Sequence, residues 1–418
     1  MSSGSLRIRN PKSAIRNGQS ATVMTPDLIS CILHCMKYDF DRIIERRNTD
    51  SIKWGLHPDD VIPMWVADMD FVSAEPIVRA LSERAAHGVF GYSRPSQALI
   101  PAIQQRLARL YGWNVHAEDV IFLPGIVTGL NIAFQAFAAP GEGILVQPPV
   151  YFHFSRDPIR HGRTLQNPPL VQNGDSYEID FDRFEKAILR ETRVFALCNP
   201  HNPVGRVFTR PELERLAEIC LRHGLIICSD EIHCDLIYTP HRHIPIATLS
   251  PEVEARTITL MAPSKTYNVA GLECGYAIIR NPELRDAWKD FCYGLVPGVN
   301  IMGHVAALAA LREGEDWLVQ VLDYLLGNRD YLEHYLREKM PSIRMCRMEA
   351  TYLAWLDCRE AGIIKYPAEF FLNNARVALS EGTEFGENGA GFARLNFGCS
   401  RQKLAEALDR MKSALADL

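Results

Sequence analysis

Between residues 119 and 281 the chain alternates short apolar runs with longer stretches of helical periodicity. The runs are DVIFLPG (119–125), GILVQPP (143–149), RVFALCNP (193–200), LIICSDE (225–231), TITLMAPSK (257–265) and GYAIIRN (275–281). Several are apolar and β-branched at successive positions, as strands covered on both faces must be, and strands alternating with helices define an α/β sheet. One helix is explicit. In RPELERLAEICLRHG (210–224), Leu213, Leu216, Ala217, Cys220 and Leu221 recur at helical spacing. Thr209 with Glu212 forms a capping-box pattern, Pro211 suits the first turn, and Gly224 suits the end.

After about residue 300 the pattern changes. Long helical stretches over 304–340 lead to TYLAWLD (351–357) and FARLNFG (392–398), which predicts a second, smaller α+β domain. The first 35 residues are rich in Ser, Arg and Asn, with no acid before Asp27. They read as a disordered extension of a cytoplasmic protein, with an organelle transit segment or an upstream extension before Met36 as the alternatives.

Composition narrows the partners. The 418 residues carry 45 basic and 50 acidic side chains, a net charge of -5, which favours neither nucleic acid nor an anionic membrane and leaves a small molecule as the expected ligand. No uninterrupted apolar run approaches the roughly 20 residues of a bilayer span, so a soluble protein is expected. The eleven cysteines form no C-x-x-C pair and no metal-finger pattern with histidine, so reduced thiols and no metal site are expected.

Polar residues cluster where the apolar runs end, and in open parallel sheets ligands bind outside the carboxyl ends of the strands. Gly125 opens a strand-to-helix turn in which the amides of Ile126, Val127 and Thr128 suit a phosphate, or simply make a turn. Tyr151, just past the next run, either stacks on a planar ligand or packs in the core. CNPHNPVGR is a rigid turn that either fixes Asn202 as a donor or is a plain turn. Asp230 and Glu231 leave a wholly apolar run, where a carboxylate needs a cation or donor, structural or functional. Lys265 closes the fifth run, either solvated or as a desolvated amine able to form an imine. Together these are the parts required by pyridoxal phosphate: phosphate, ring face, ring oxygen, ring nitrogen and aldehyde.

The chain also resembles the fold-type I pyridoxal-phosphate enzymes of the class I/II aminotransferase superfamily, and within it the MalY/PatB-like cystathionine β-lyase branch. The resemblance runs from about Met36 to the C-terminus through KYDFDRIIERRNTDSIKWG, PMWVADMDF, FGYSRP, CNPHNPVGRV, SDEIHCDLIY, SKTYNVAGL, TYLAWLD and ARLNFG. It implies a large domain over 81–300 with a mostly parallel seven-stranded sheet, a small α+β domain over 301–418, and a segment over 36–80 packing with the latter. It further implies that Lys265 is the Schiff-base lysine and proton shuttle, Asp230 the partner of the ring nitrogen, and Asn202 the donor to the ring oxygen. Tyr151 resembles the stacking aromatic, and Ser264 with the amides of Ile126 and Val127 resembles the phosphate ligands. Arg394 resembles the clamp on the substrate carboxylate, with Ala67 on the loop beside it. Tyr92 matches a tyrosine that reaches the phosphate of a neighbouring subunit, which implies a homodimer with shared sites.

Two departures refine the expectation. His233 stands three residues after Asp230, where many aminotransferases carry Tyr, as it does in the lyase branch. Glu273 occupies the position of a phosphate-binding arginine and should turn away or pair with a cation. The resemblance therefore implies elimination from an S-substituted cysteine such as cystathionine, with transamination and a cofactor-bearing regulator as rivals. Tyr92 and Trp65 are the residues placed to discriminate between outcomes. A nucleotide-binding dehydrogenase fails because no G-x-G-x-x-G follows any predicted strand.

Overall fold

The computed structural model describes residues 38–363, 365–416 and 418, so the extension expected over residues 1–35 lies outside the described residues. Residues from Asp39 onward form one compact unit. Its main sheet has seven strands in the spatial order Val120–Leu123, Gly275–Ile278, Thr257–Met261, Ile226–Asp230, Thr192–Cys198, Gly143–Leu145 and Thr164–Gln166. Gly275–Ile278 runs antiparallel to both of its neighbours, and the remaining pairs are parallel. Six of these strands coincide with the six apolar runs. The seventh, Thr164–Gln166, has three residues of graded exposure and carries no hydrophobic signal.

Alternation within the strands explains the unbroken apolar runs. Val194, Ala196 and Cys198 join the core on one face of the sheet, with the Ile126–Ala136 helix, while Phe195 and Leu197 join the core on the other, with the Arg210–Arg222 helix. Both faces are thus covered, and each large side chain removed from water contributes about 1.5–3 kcal/mol. The Arg210–Arg222 helix begins as expected, with Glu212 Oε2 accepting the Thr209 amide at 2.7 Å. It ends as Gly224, at φ 68°, lets the Leu225 amide turn back to the Cys220 carbonyl at 2.9 Å.

A second sheet of four strands, in the order Arg344–Met345, Leu353–Asp357, Phe392–Asn396 and Ser380–Glu381, is antiparallel. The Glu315–Lys339 and Arg401–Ala416 helices accompany it. Near the start of the described chain, Ile62–Pro63 pairs in parallel with Val377–Ala378. That pairing delivers the irregular segment 65–70 to the ends of the large-sheet strands, where it meets both Lys265 and Arg394. Among the described residues no helix is long and apolar enough to cross a membrane.

Candidate active site

A cavity of about 500 Å³ lies outside the carboxyl ends of the parallel strands, bounded on the other side by the second sheet and segment 65–67. Fourteen residues singled out in the sequence line it: Trp65, Ala67, Gly125, Ile126, Val127, Thr128, Tyr151, Asn202, Asp230, His233, Ser264, Lys265, Glu273 and Arg394. Tyr92 does not, being fully exposed away from the cavity of its own chain.

At one end Gly125, at φ 109°, turns the chain from the first strand into the Ile126–Ala136 helix, whose leading amides have no intrahelical acceptor. Ser264 borders the same space from the short Pro263–Thr266 helix. Glu273 also lines this end. It is exposed, adopts the left-handed conformation at φ 48°, and has no ion-pair partner among the described residues, so the expected pairing with a cation is not seen.

At the centre lies Asp230, the last residue of its strand. One carboxylate oxygen accepts the Ile232 amide at 3.0 Å, and no cation pairs with it among the described residues. Burial raises its pKa to about 7, against the effect of that amide and of Lys265. Neighbouring Glu231 points to the opposite side, where it meets His243 at 2.7 Å and the Ser229 hydroxyl at 2.9 Å, all three buried. Lys265 Nζ donates to the Ala67 carbonyl at 2.7 Å, and burial lowers its pKa to about 8. His233 is held neutral, its pKa pushed down to about 3 by burial and then by Lys265 and Arg394.

Arg394 enters from the Phe392–Asn396 strand and packs over the Phe385 ring at 4.7 Å. Its terminal nitrogens donate to Asn202 Oδ1, the Trp65 carbonyl and Ser380 Oγ, each at 3.1 Å, while its Nε finds no partner. Burial lowers its pKa to about 10, which leaves it charged at neutral pH. The cavity therefore holds a buried acid without a cation and a buried cation without an acid. Each is costly alone and each calls for a complementary group on a ligand.

Those two groups and the anion-favouring turn fit pyridoxal phosphate with an amino acid: Asp230 matches a protonated ring nitrogen, Lys265 an aldehyde, Arg394 a carboxylate. Phe385, Ser380, Glu384 and Tyr352 were not found from the sequence. The first three lie in a stretch without regular periodicity, and Tyr352 stands behind the cavity wall, its hydroxyl donating to the Ala67 carbonyl at 2.9 Å and its ring edge-on to His233.

The fold and site define an α/β enzyme of the aminotransferase class I and II family, to which the chain belongs: residues 59–411 match it. Cystathionine beta-lyase PatB of Bacillus subtilis is 40% identical over 389 residues, covering 90% of this chain and all of PatB. Cystalysin from Treponema denticola, a structure containing pyridoxal 5'-phosphate, superposes with a TM-score of 0.88 at 30% identity, covering 91% of this chain and all of that one. The PLP-bound C-S lyase from Staphylococcus hominis superposes with a TM-score of 0.85 at 32% identity, covering 91% and 99% respectively.

Proposed function

We infer that the protein is a pyridoxal-phosphate-dependent C–S β-lyase that converts an S-substituted L-cysteine, L-cystathionine among them, and water to a thiol, pyruvate and ammonia. The observation that carries this is the coexistence, in one cavity, of unpaired Asp230, unpaired Arg394 and a lysine of lowered pKa. The lyase outcome is supported by the names of the relatives above. When bound, the cofactor supplies an electron sink for negative charge at the substrate α-carbon. Ser264 and the Ile126 and Val127 amides hold its phosphate, Tyr151 covers its ring, Asn202 Nδ2 donates to the ring oxygen, and Asp230 keeps a proton on the ring nitrogen. Arg394 orients the substrate by its carboxylate through the fork geometry of its guanidinium. Lys265, poorly solvated and with a pKa near neutrality, takes the α-proton. Neutral His233 adds no charge to the space between Lys265 and Arg394.

The decisive experiment is incubation of the purified protein with L-cystathionine and a panel of S-substituted cysteines, with and without a keto acid. Thiol and pyruvate without keto acid support elimination. Keto-acid-dependent product without thiol replaces it by transamination.

The same reading includes a homodimer in which Tyr92 completes the partner's phosphate site. Tyr92 is fully exposed on a segment that also exposes Val89 and Phe90. Mixing subunits that carry Lys265→Ala with subunits that carry Tyr92→Ala tests it. A Tyr92 acting across the dimer restores one competent site, whereas a Tyr92 acting within its own chain restores none.

A further inference from the structure

ERRNTDSIKWG, a motif that the proposed chemistry leaves without a role, meets PMWVADMDF, which carries Trp65 and Ala67, in the structure. Asp70 accepts from Lys53 Nζ at 2.9 Å, from Trp54 Nε1 at 2.8 Å and from Arg46. Arg46 also donates to Asp68 at 2.8 Å, and Lys53 Nζ reaches the Asp68 carbonyl at 3.1 Å. The Lys53 side chain is completely buried, and Asp70 is nearly so, its pKa lowered despite burial by Lys53, Trp54 and Arg46. Two cations and two carboxylates thus neutralise one another around the fully buried Lys53 and nearly buried Asp70, and removing one of that buried pair leaves the other charge without its partner.

What this cluster holds is the irregular segment 65–70, whose carbonyls accept from both cations of the cavity. The Trp65 carbonyl accepts from Arg394 at 3.1 Å, and the Ala67 carbonyl from Lys265 at 2.7 Å. The Trp65 indole closes the circuit by donating to the Lys53 carbonyl at 3.2 Å. Asn268, three residues after Lys265, binds both the amide and the carbonyl of Met69, each at 2.9 Å. The segment is therefore a strap tied to both sheets.

We propose that Lys53, through Asp70 and the 65–70 strap, is a positioning residue that sets the orientation of Arg394 toward the substrate carboxylate. This rests on the role of Arg394 inferred above. It assigns to a residue outside the cavity a function in substrate binding, beyond its contribution to folding.

The test uses the holoenzyme and its visible spectrum. L-alanine and ethylamine share an amino group and differ by the carboxylate that Arg394 would grip. In Lys53→Met the apparent Kd for L-alanine is expected to rise at least about tenfold while that for ethylamine moves less than about twofold, and Lys53→Arg should recover most of the loss. Equal shifts for the two amines, or no shift in a folded Lys53→Met protein, overturn the proposal. Should Lys53→Met not fold, Trp54→Phe removes one donor to Asp70 without removing charge and should raise the L-alanine Kd about threefold; an unchanged Kd there overturns it equally. A parent protein without a spectral response to either amine sinks the site assignment itself, whereas a responsive parent that Lys53→Met matches sinks the clamp alone.

Discussion

Arg394, on a strand of the second sheet, donates across 3.1 Å to Oδ1 of Asn202, 192 positions away in the turn that follows the Thr192–Cys198 strand. The contact settles which way the Asn202 amide faces: its oxygen is occupied by the guanidinium, so its NH₂ is the free donor for a ring oxygen. Asn202→Asp would turn this neutral contact into an ion pair competing with the substrate carboxylate. Its KM should exceed that of Asn202→Ala by tenfold or more, since hydrogen bonds to charged groups are worth about 1.5–3 kcal/mol. Steady-state kinetics of the two variants with one substrate check this.

Lys265→Ala is expected to abolish turnover and the yellow absorbance of the bound cofactor while leaving the fold intact. The substitution removes a buried amine whose one hydrogen bond is to the Ala67 carbonyl. Retained activity at the parental level in this variant would falsify the site.

Asp230 makes the stability of the cofactor-stripped protein depend on pH in an uncommon direction. Its folded pKa, about 7, lies above the unfolded value near 4, so between these limits the native state binds a proton that the unfolded chain has lost. Stability should fall as pH rises from about 4 to 7, by up to a few kcal/mol, and level off above. Lys265, lowered to about 8, adds the opposite trend: stability recovers as pH rises from about 8 toward the unfolded lysine value near 10.4. Urea titrations across this range should show the dip, and Asp230→Asn should remove its acid limb.

His243→Phe should destabilise the protein by about 3–5 kcal/mol, because it strands the buried Glu231 carboxylate with only the Ser229 hydroxyl as partner. Glu231→Gln retains hydrogen-bonding capacity and should cost about 1–2 kcal/mol. Denaturant midpoints measured side by side distinguish the two.

Glu273→Arg places a cation at the rim of the phosphate end, where the parent has an unpaired carboxylate. Cofactor release should slow roughly tenfold, with a larger effect at low salt than at high salt because the residue is exposed. Dissociation followed by loss of visible absorbance measures it.

Legibility in the sequence followed burial. The six apolar runs are strands because both faces of the sheet are covered, whereas Thr164–Gln166 sits at its edge with one exposed position and no pattern. Lys265, Asp230 and Asn202 were visible because each directly follows or ends an apolar run. The Lys53, Asp68 and Asp70 cluster was not, since charged residues 15 and 17 positions apart read as solvated until folding brings them together.

From the sequence alone came the covered sheet, the polar residues at its strand ends and the set of groups a pyridoxal-phosphate site requires. These are local properties, set by side-chain alternation and by where each run stops. Only the tertiary structure decided that Asp230 faces the cavity while adjacent Glu231 faces His243, that Arg394 lacks an acid, and that one strap of backbone accepts from both Arg394 and Lys265. Those outcomes depend on which surfaces pack against each other, and neither spacing nor composition encodes the partner of a buried charge.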